Sequence, residues 1–190
     1  FITHFCPNIA VYTNISPDHL DRHGSLNNYI QMKLNMIKNI NENGHIVYNK
    51  DDQQLSKLFK DYNTNTVPYS ISCSDLMFEL NQKMIYDSKG NNIININQIS
   101  LLGQHNLSNL FAAATAAKLM GVSNKEISLV MKEFSSIEHR LEHVCSINDV
   151  KYINDSKATN IDSVKVALTS FNQPIILILG GKNKGADFRL

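Results

Sequence analysis

Val150-Lys151-Tyr152-Ile153 runs straight into Asn154-Asp155-Ser156-Lys157-Ala158-Thr159-Asn160, and Ile161 opens a helical spacing that reaches Phe171. Strand, turn and helix in that order form the repeating unit of an α/β sheet. The turn holds a carboxylate, two hydroxyls, an ammonium and two amides. A turn that only connects is shorter and richer in Gly or Pro. In α/β sheets ligands sit outside the carboxyl ends of strands and at helix N-termini. The same residues also suit a plainer role, with Asp155, Ser156 or Thr159 capping the helix. Spacing alone leaves both readings open.

Around this turn the pattern is that of an α/β domain. Residues 141–147 read as a preceding strand, with Asn148-Asp149 as the turn between. Residues 175–179 read as a buried strand that ends at Gly180-Gly181. A shift in pattern near 137–142 divides the chain into residues 1–138 and 139–190. A parallel sheet this small cannot cover both its faces, so the second domain is expected to be incomplete.

The first part also alternates. Residues 9–12 form a strand, and Pro17-Asp18 opens a short helical stretch that Gly24 interrupts. Ser25 then caps a long helix with Leu26, Tyr29, Ile30, Leu34, Ile37 and Ile40 on one face, stopped by Gly44. Residues 45–48 are a strand and 51–60 a helix. A β-rich stretch spans 66–99, with a hairpin loop at residues 87–92. Two helices, 105–120 and 124–134, meet at Gly121.

Composition narrows the function classes. The 190 residues are 43% hydrophobic and 18% charged, with a net charge of +1. These are globular values. Lys and Arg form no stripe, which removes electrostatic support for nucleic acid or a membrane surface. Cys6, Cys73 and Cys145 are isolated and odd in number, which indicates neither a zinc site nor a disulfide framework and suits a reducing cytoplasm. The apolar run at 175–179 is far too short to span a bilayer. The chain begins Phe-Ile-Thr-His without an initiating Met, so it is expected to be a piece of something longer.

Three further clusters carry chemistry. His19 and His23 stand at i and i+4, a spacing that puts two imidazoles on one helix face, though no third metal ligand lies nearby. Lys33 lies in an apolar helical stretch. Such a lysine either snorkels to water or loses its proton through desolvation, and a neutral amine can take up carbon dioxide as a carbamate. In Gly103-Gln104-His105-Asn106-Leu107-Ser108-Asn109, the amides of Asn106 and Asn109 share a helix face and can read a purine edge or cap the helix.

These motifs, in this order, resemble the Mur ligases, the ATP-dependent amide-forming ligases of bacterial peptidoglycan synthesis. DHLDRHGSLNNYIQMK resembles the family's metal-site segment, GQHNLSNLFAAATAA its adenine-side helix and HRLEHV its domain junction. NDSKATN and GGKNKGADF resemble the branch that adds D-glutamate. The resemblance implies an α/β fold: part of the central ATP-binding domain over 1–138, then the start of a Rossmann-like, amino-acid-binding C-terminal domain over 139–190. It implies UDP-N-acetylmuramoyl-L-alanine and D-glutamate as substrates, ATP, two magnesium ions, and carbon dioxide held as a lysine carbamate, in a cytoplasmic monomer with no nucleic-acid or membrane partner. By the same resemblance Lys33, as carbamate, and His19 form the metal and catalytic cluster. Asn106 and Asn109 face the adenine, and Arg140 and Asp155 hold the ribose and phosphate side. Lys157, Thr159 and Lys184 bind D-glutamate.

The chain departs from the family in one main respect. It has no G-x-x-x-x-G-K-[ST] phosphate loop, and Gly180-Gly181-Lys182-Asn183-Lys184-Gly185 has the wrong spacing for one. The 190 residues alone are therefore expected to make no product. The alternatives are a non-catalytic remnant or another amide ligase of the Mur or folylpolyglutamate type.

Overall fold

The computed structural model describes residues 4–16, 20–62, 65–101, 103–135 and 137–181, with the backbone alone at 20, 21 and 162. A parallel sheet in the order β1 (Ile9–Tyr12), β2 (His45–Asn49), β3 (Asn65–Tyr69) sits at the centre, with Ile9 opposite His45 and His45 opposite Asn65. Parallel neighbours need crossover connections. Helices α1 (Leu20–His23) and α2 (Leu26–Leu34) lie between β1 and β2, and α3 (Gln53–Phe59) lies between β2 and β3. The antiparallel strands β4 (Phe78–Asn81), β5 (Met84–Asp87) and β6 (Asn92–Asn95) form a separate sheet. Helices α4 (Gln104–Leu119) and α5 (Asn124–Glu133) follow, then the antiparallel pair β7 (Glu142–Ile147) and β8 (Val150–Asn154), then α6 (Ile161–Thr169).

Alternation along β2 explains why the sheet is buried on both faces. Ile46 and Tyr48 point to a cluster with Ala10, Tyr12, Leu55 and Phe59, while Val47 joins Tyr69, Phe111 and Ala114 on the other side. The Phe59 ring lies 5.2 Å from Tyr12 and 5.3 Å from Tyr48. Each such fully buried side chain contributes about 2–3 kcal/mol of transfer free energy. Ala112 and Ala114 let α4 pack closely against this core, as the Ala-rich sequence predicts.

Several expectations need correcting. The α-helix from Leu26 ends at Leu34 and tightens to a 3-10 turn over Asn35–Ile37, so Gly44 does not stop it. Gly44 is buried, and a Cβ there would lie 2.7 Å from the Ile40 side chain and 2.9 and 3.0 Å from the carbonyls of Asn41 and Asn8. The glycine serves close backbone approach. The β-rich stretch is two structures, because β3 joins the parallel sheet and β4 to β6 pair among themselves. The strand expected at 175–179 does not form. No described strand pairs with it, and Ile176 and Ile178 are 91% and 94% exposed. Pro17-Asp18 lies outside the described residues.

The hairpin loop at 87–92 does form, around the buried carboxylate of Asp87. It accepts from the backbone N–H of Lys89 (3.0 Å) and Asn91 (2.8 Å) and from the side-chain amides of Asn91 (3.0 Å) and Asn124 (2.7 Å). These bonds, the Asn91 pair foremost, hold its pKa well below the usual carboxylate range. Through Asn124, which also accepts from Lys118 Nζ at 2.6 Å, the hairpin is fastened to the α4–α5 corner.

Candidate active site

The carboxyl end of β1 and the last turn of α2 form one wall of the site. Ser25 Oγ caps α2 by accepting from the Asn28 N–H at 3.2 Å, which sets the helix that carries Lys33. Lys33 is half-buried, and its ammonium stands 5.0 Å from the centre of the Tyr29 ring, a cation–π contact. The Tyr12 hydroxyl donates to the Lys33 carbonyl at 3.0 Å, and burial pushes the Tyr12 pKa up, with the Tyr62 charge adding to the rise. Lys33 lines a cavity of about 440 Å³ with Tyr12, Thr13, Asn14 and Met36. Magnesium takes hard oxygen donors. A lysine ammonium is no such donor, whereas a carbamate on Nζ is, and Thr13 and Asn14 bring neutral oxygens to the same cavity. None of the residues lining this cavity carries a carboxylate, so a magnesium ion there would need an anionic oxygen such as a carbamate on Lys33. No group of three or more His, Cys, Asp or Glu is gathered for a metal among the described residues. His19, like Lys184, lies outside them. His23 packs on Tyr29, with ring centres 5.3 Å apart.

The second wall is the start of α4. Its N-cap is Gly103, which has no side chain to cap with, so neither Asn106 nor Asn109 serves as the cap. Asn106 is half-buried and Asn109 exposed. Gly103 has φ of +90°, and a Cβ there would lie 2.8 Å from both the His105 ring and Ser170 Oγ, so glycine is required. His105 is half-buried; burial holds its pKa below the usual imidazole value, against an upward pull from the Asp155 charge.

The third part is the turn at 154–160. Its helix is capped by Asn160, whose Oδ1 accepts from the Ser163 N–H at 2.8 Å and the Ser163 hydroxyl at 2.7 Å. That corrects the capping reading for Asp155, Ser156 and Thr159. The Asp155 carboxylate accepts from the Leu141 N–H at 3.3 Å, and the Lys157 N–H donates to the His139 carbonyl at 3.2 Å. Asn154 reaches His139 Nδ1 at 2.9 Å and Glu142 Oε2 at 3.2 Å. The 139–142 loop, with Arg140 in it, is thus laid along the turn. The Lys157 and Thr159 side chains are exposed.

The end of β2 and the turn after it hold a hydrogen-bond network that the motif reading passed over. Asn49 Nδ2 donates to the Thr13 carbonyl at 3.1 Å and to Ser108 Oγ at 3.5 Å, while its Oδ1 accepts from the Asp51 N–H at 3.0 Å. Asp51 accepts from the Ser70 hydroxyl at 2.6 Å and the Ile71 N–H at 3.0 Å. Asp52 accepts from the Ile15 N–H at 3.0 Å and the Leu55 N–H at 2.9 Å. The Tyr69 hydroxyl is buried without a hydrogen bond of good geometry. Burial pushes its pKa up to about 12, Ser108 pulls the other way, and the Asp51 and Asp52 charges add to the rise. The signal that could have found this turn is its polarity: Asn-Lys-Asp-Asp directly after a buried strand.

The chain is similar to known proteins in sequence and in fold. The profile of the Mur ligase middle domain matches residues 2–117. The UDP-N-acetylmuramoylalanine–D-glutamate ligase of Bacillus cereus (strain G9842) is 39% identical over 186 residues, which is 97% of this chain and 41% of that protein. The enzyme of the same name from Halalkalibacterium halodurans is 38% identical over 98% of this chain and 41% of its own length. The chain thus spans about two fifths of the length of these relatives. Among solved structures, MurF from Acinetobacter baumannii superposes with a TM-score of 0.69 at 18% identity, over 87% of this chain and 38% of that one. A pseudomurein peptide ligase type C from Methanothermus fervidus gives 0.69 at 21% identity, over 86% and 41%. At such identities the likeness is one of fold.

Proposed function

The chain belongs to the Mur ligase family, and from that premise we propose that it is the part of an ATP-dependent amide ligase that joins D-glutamate to UDP-N-acetylmuramoyl-L-alanine. Residues 1–138 act as the later portion of the central ATP-binding domain, and 139–190 as the beginning of the amino-acid-binding domain. The enzyme works in the cytoplasm as a monomer.

In this reading the L-alanine carboxylate attacks the γ-phosphorus of ATP, ADP leaves, and an acyl phosphate forms. The D-glutamate amine attacks the acyl carbon and gives up a proton. The tetrahedral intermediate then collapses with loss of phosphate. Bringing two anions together is the main obstacle, so positioning and charge stabilisation supply most of the catalysis. Two magnesium ions, when bound, offset the charge of the carboxylate and triphosphate. Lys33 as its carbamate, and His19, are the residues assigned to hold metal. Asn106 and Asn109 present amides to the adenine. Asp155 and Arg140 hold the ribose and phosphate side. Lys157, Thr159 and Lys184 take the D-glutamate carboxylates, two ammonium groups and a hydroxyl for a dicarboxylate.

The observation that carries this reading is the turn at 154–160. Asn160 does the capping there, and Lys157 and Thr159 stand exposed at the carboxyl end of a strand. Lys157→Ala in the complete ligase tests it. The KM for D-glutamate is expected to rise about tenfold or more, as loss of a charge-assisted bond implies, with the KM for ATP unchanged. An unchanged KM for D-glutamate would remove Lys157 from the substrate site.

A further inference from the structure

The segment Asn49-Lys50-Asp51-Asp52, which starts at the last residue of β2, fastens every carboxyl end of the parallel sheet. Asn49 ties to Thr13 beyond β1 and to Ser108 on α4, Asp51 ties to Ser70 and Ile71 beyond β3, and Asp52 ties to Ile15. The two Asp residues secure loops near their own strands. Asn49 differs, because its single amide nitrogen faces both walls of the site. Thr13 lines the cavity that holds Lys33, and Ser108 lies on α4 between Asn106 and Asn109. The Asn49 carbonyl oxygen is already engaged by the Asp51 N–H, which fixes the orientation of the amide. The partners of Asn49 lie 36 and 59 residues away in sequence, so no local structure supplies this link.

We propose that Asn49 is a positioning residue, which sets the separation between the Lys33 wall and the Asn106–Asn109 wall and so fixes where the phosphates of a nucleotide lie once its base is held. The inference rests on the ligase reading above and adds to it a residue that touches neither substrate nor metal. Transfer of a phosphoryl group depends on in-line placement, and a displacement of about 1 Å is enough to slow it about a hundredfold. A positioning residue of this kind acts on ATP and on the rate, while leaving the D-glutamate groups at 157–159 alone.

Asn49→Asp in the complete ligase is the test. It preserves size and the acceptor for the Asp51 N–H, and it removes the donor to both the Thr13 carbonyl and Ser108 Oγ. The expected result is a kcat lower by about tenfold or more and a KM for ATP higher by about fivefold, with the KM for D-glutamate within about twofold of wild type. Ser108→Ala cuts only the link to α4, and is expected to raise the KM for ATP with little change in kcat. A folded Asn49→Asp enzyme with both ATP parameters at wild-type values overturns the proposal. So does one in which both KM values rise together, which marks general loosening. If Asn49→Asp does not fold, Ser108→Ala decides, and a wild-type KM for ATP there overturns the proposal. A wild-type enzyme with no ATP-dependent turnover would instead overturn the ligase reading, and this inference with it.

Discussion

Single residues carry much of the argument through what their neighbours allow. Asp87 is the clearest case, with four donors on one buried carboxylate. Its folded-state pKa is depressed, so its stabilising effect is complete above the ordinary carboxylate pKa and is lost as pH falls through the folded value. Asp87→Asn is therefore expected to lower the midpoint of urea unfolding at pH 7, with the gap to wild type narrowing as the pH is taken below about 4. A gap that stays constant across that range would contradict the assignment. Gly103 is the second case. Gly103→Ala forces a side chain into φ of +90° and against His105 and Ser170, and is expected to cost about 1–2 kcal/mol or more, seen as a lower Tm. Gly90→Ala, where nothing lies within 4 Å of the added carbon, carries the φ strain without the clash and is expected to cost less.

At the scale of the element, the caps decide where helices begin and which side chains are left for other work. Asn160→Ala removes the cap of α6 and is expected to destabilise by about 1 kcal/mol, whereas Ser156→Ala, whose hydroxyl caps nothing, is expected to fall within about 0.5 kcal/mol of wild type. Thermal unfolding of the two variants checks this. Most elements were legible in the sequence, because local signals write them: the strand at β1, the Ser25 cap and the turn at Asn148-Asp149 all arise within a few residues. What was not legible depends on partners far along the chain. Gly44 looks like a helix stop until Asn8 is placed against it. The run at 175–179 has the composition of a buried strand, but a strand exists only when another lies beside it, and no described strand does. The same holds for the site. Lys33, Asn106, Asp155 and Lys157 stand in motifs that can be read in order. Asn49 and Ser108 become meaningful only once β2 meets α4.

At the scale of the whole molecule, the start of α4 meets the second part of the chain, with the Asp155 charge acting on His105 and Ser170 Oγ against Gly103. ATP on one side and an amino acid on the other is the arrangement the ligase reading requires, with closure of the two parts completing the site. The 190 residues contain no phosphate loop. Mixed with ATP, magnesium and both substrates, they are expected to release no phosphate above a Lys33→Ala control. Release above that control would show that the loop is dispensable. The central claim is the identity of the amino acid. The most direct measurement is phosphate release by the complete ligase with UDP-N-acetylmuramoyl-L-alanine and ATP, run with D-glutamate and with L-glutamate. The account predicts turnover with D-glutamate and none with L-glutamate. Equal turnover with both, or turnover with L-glutamate alone, would contradict it.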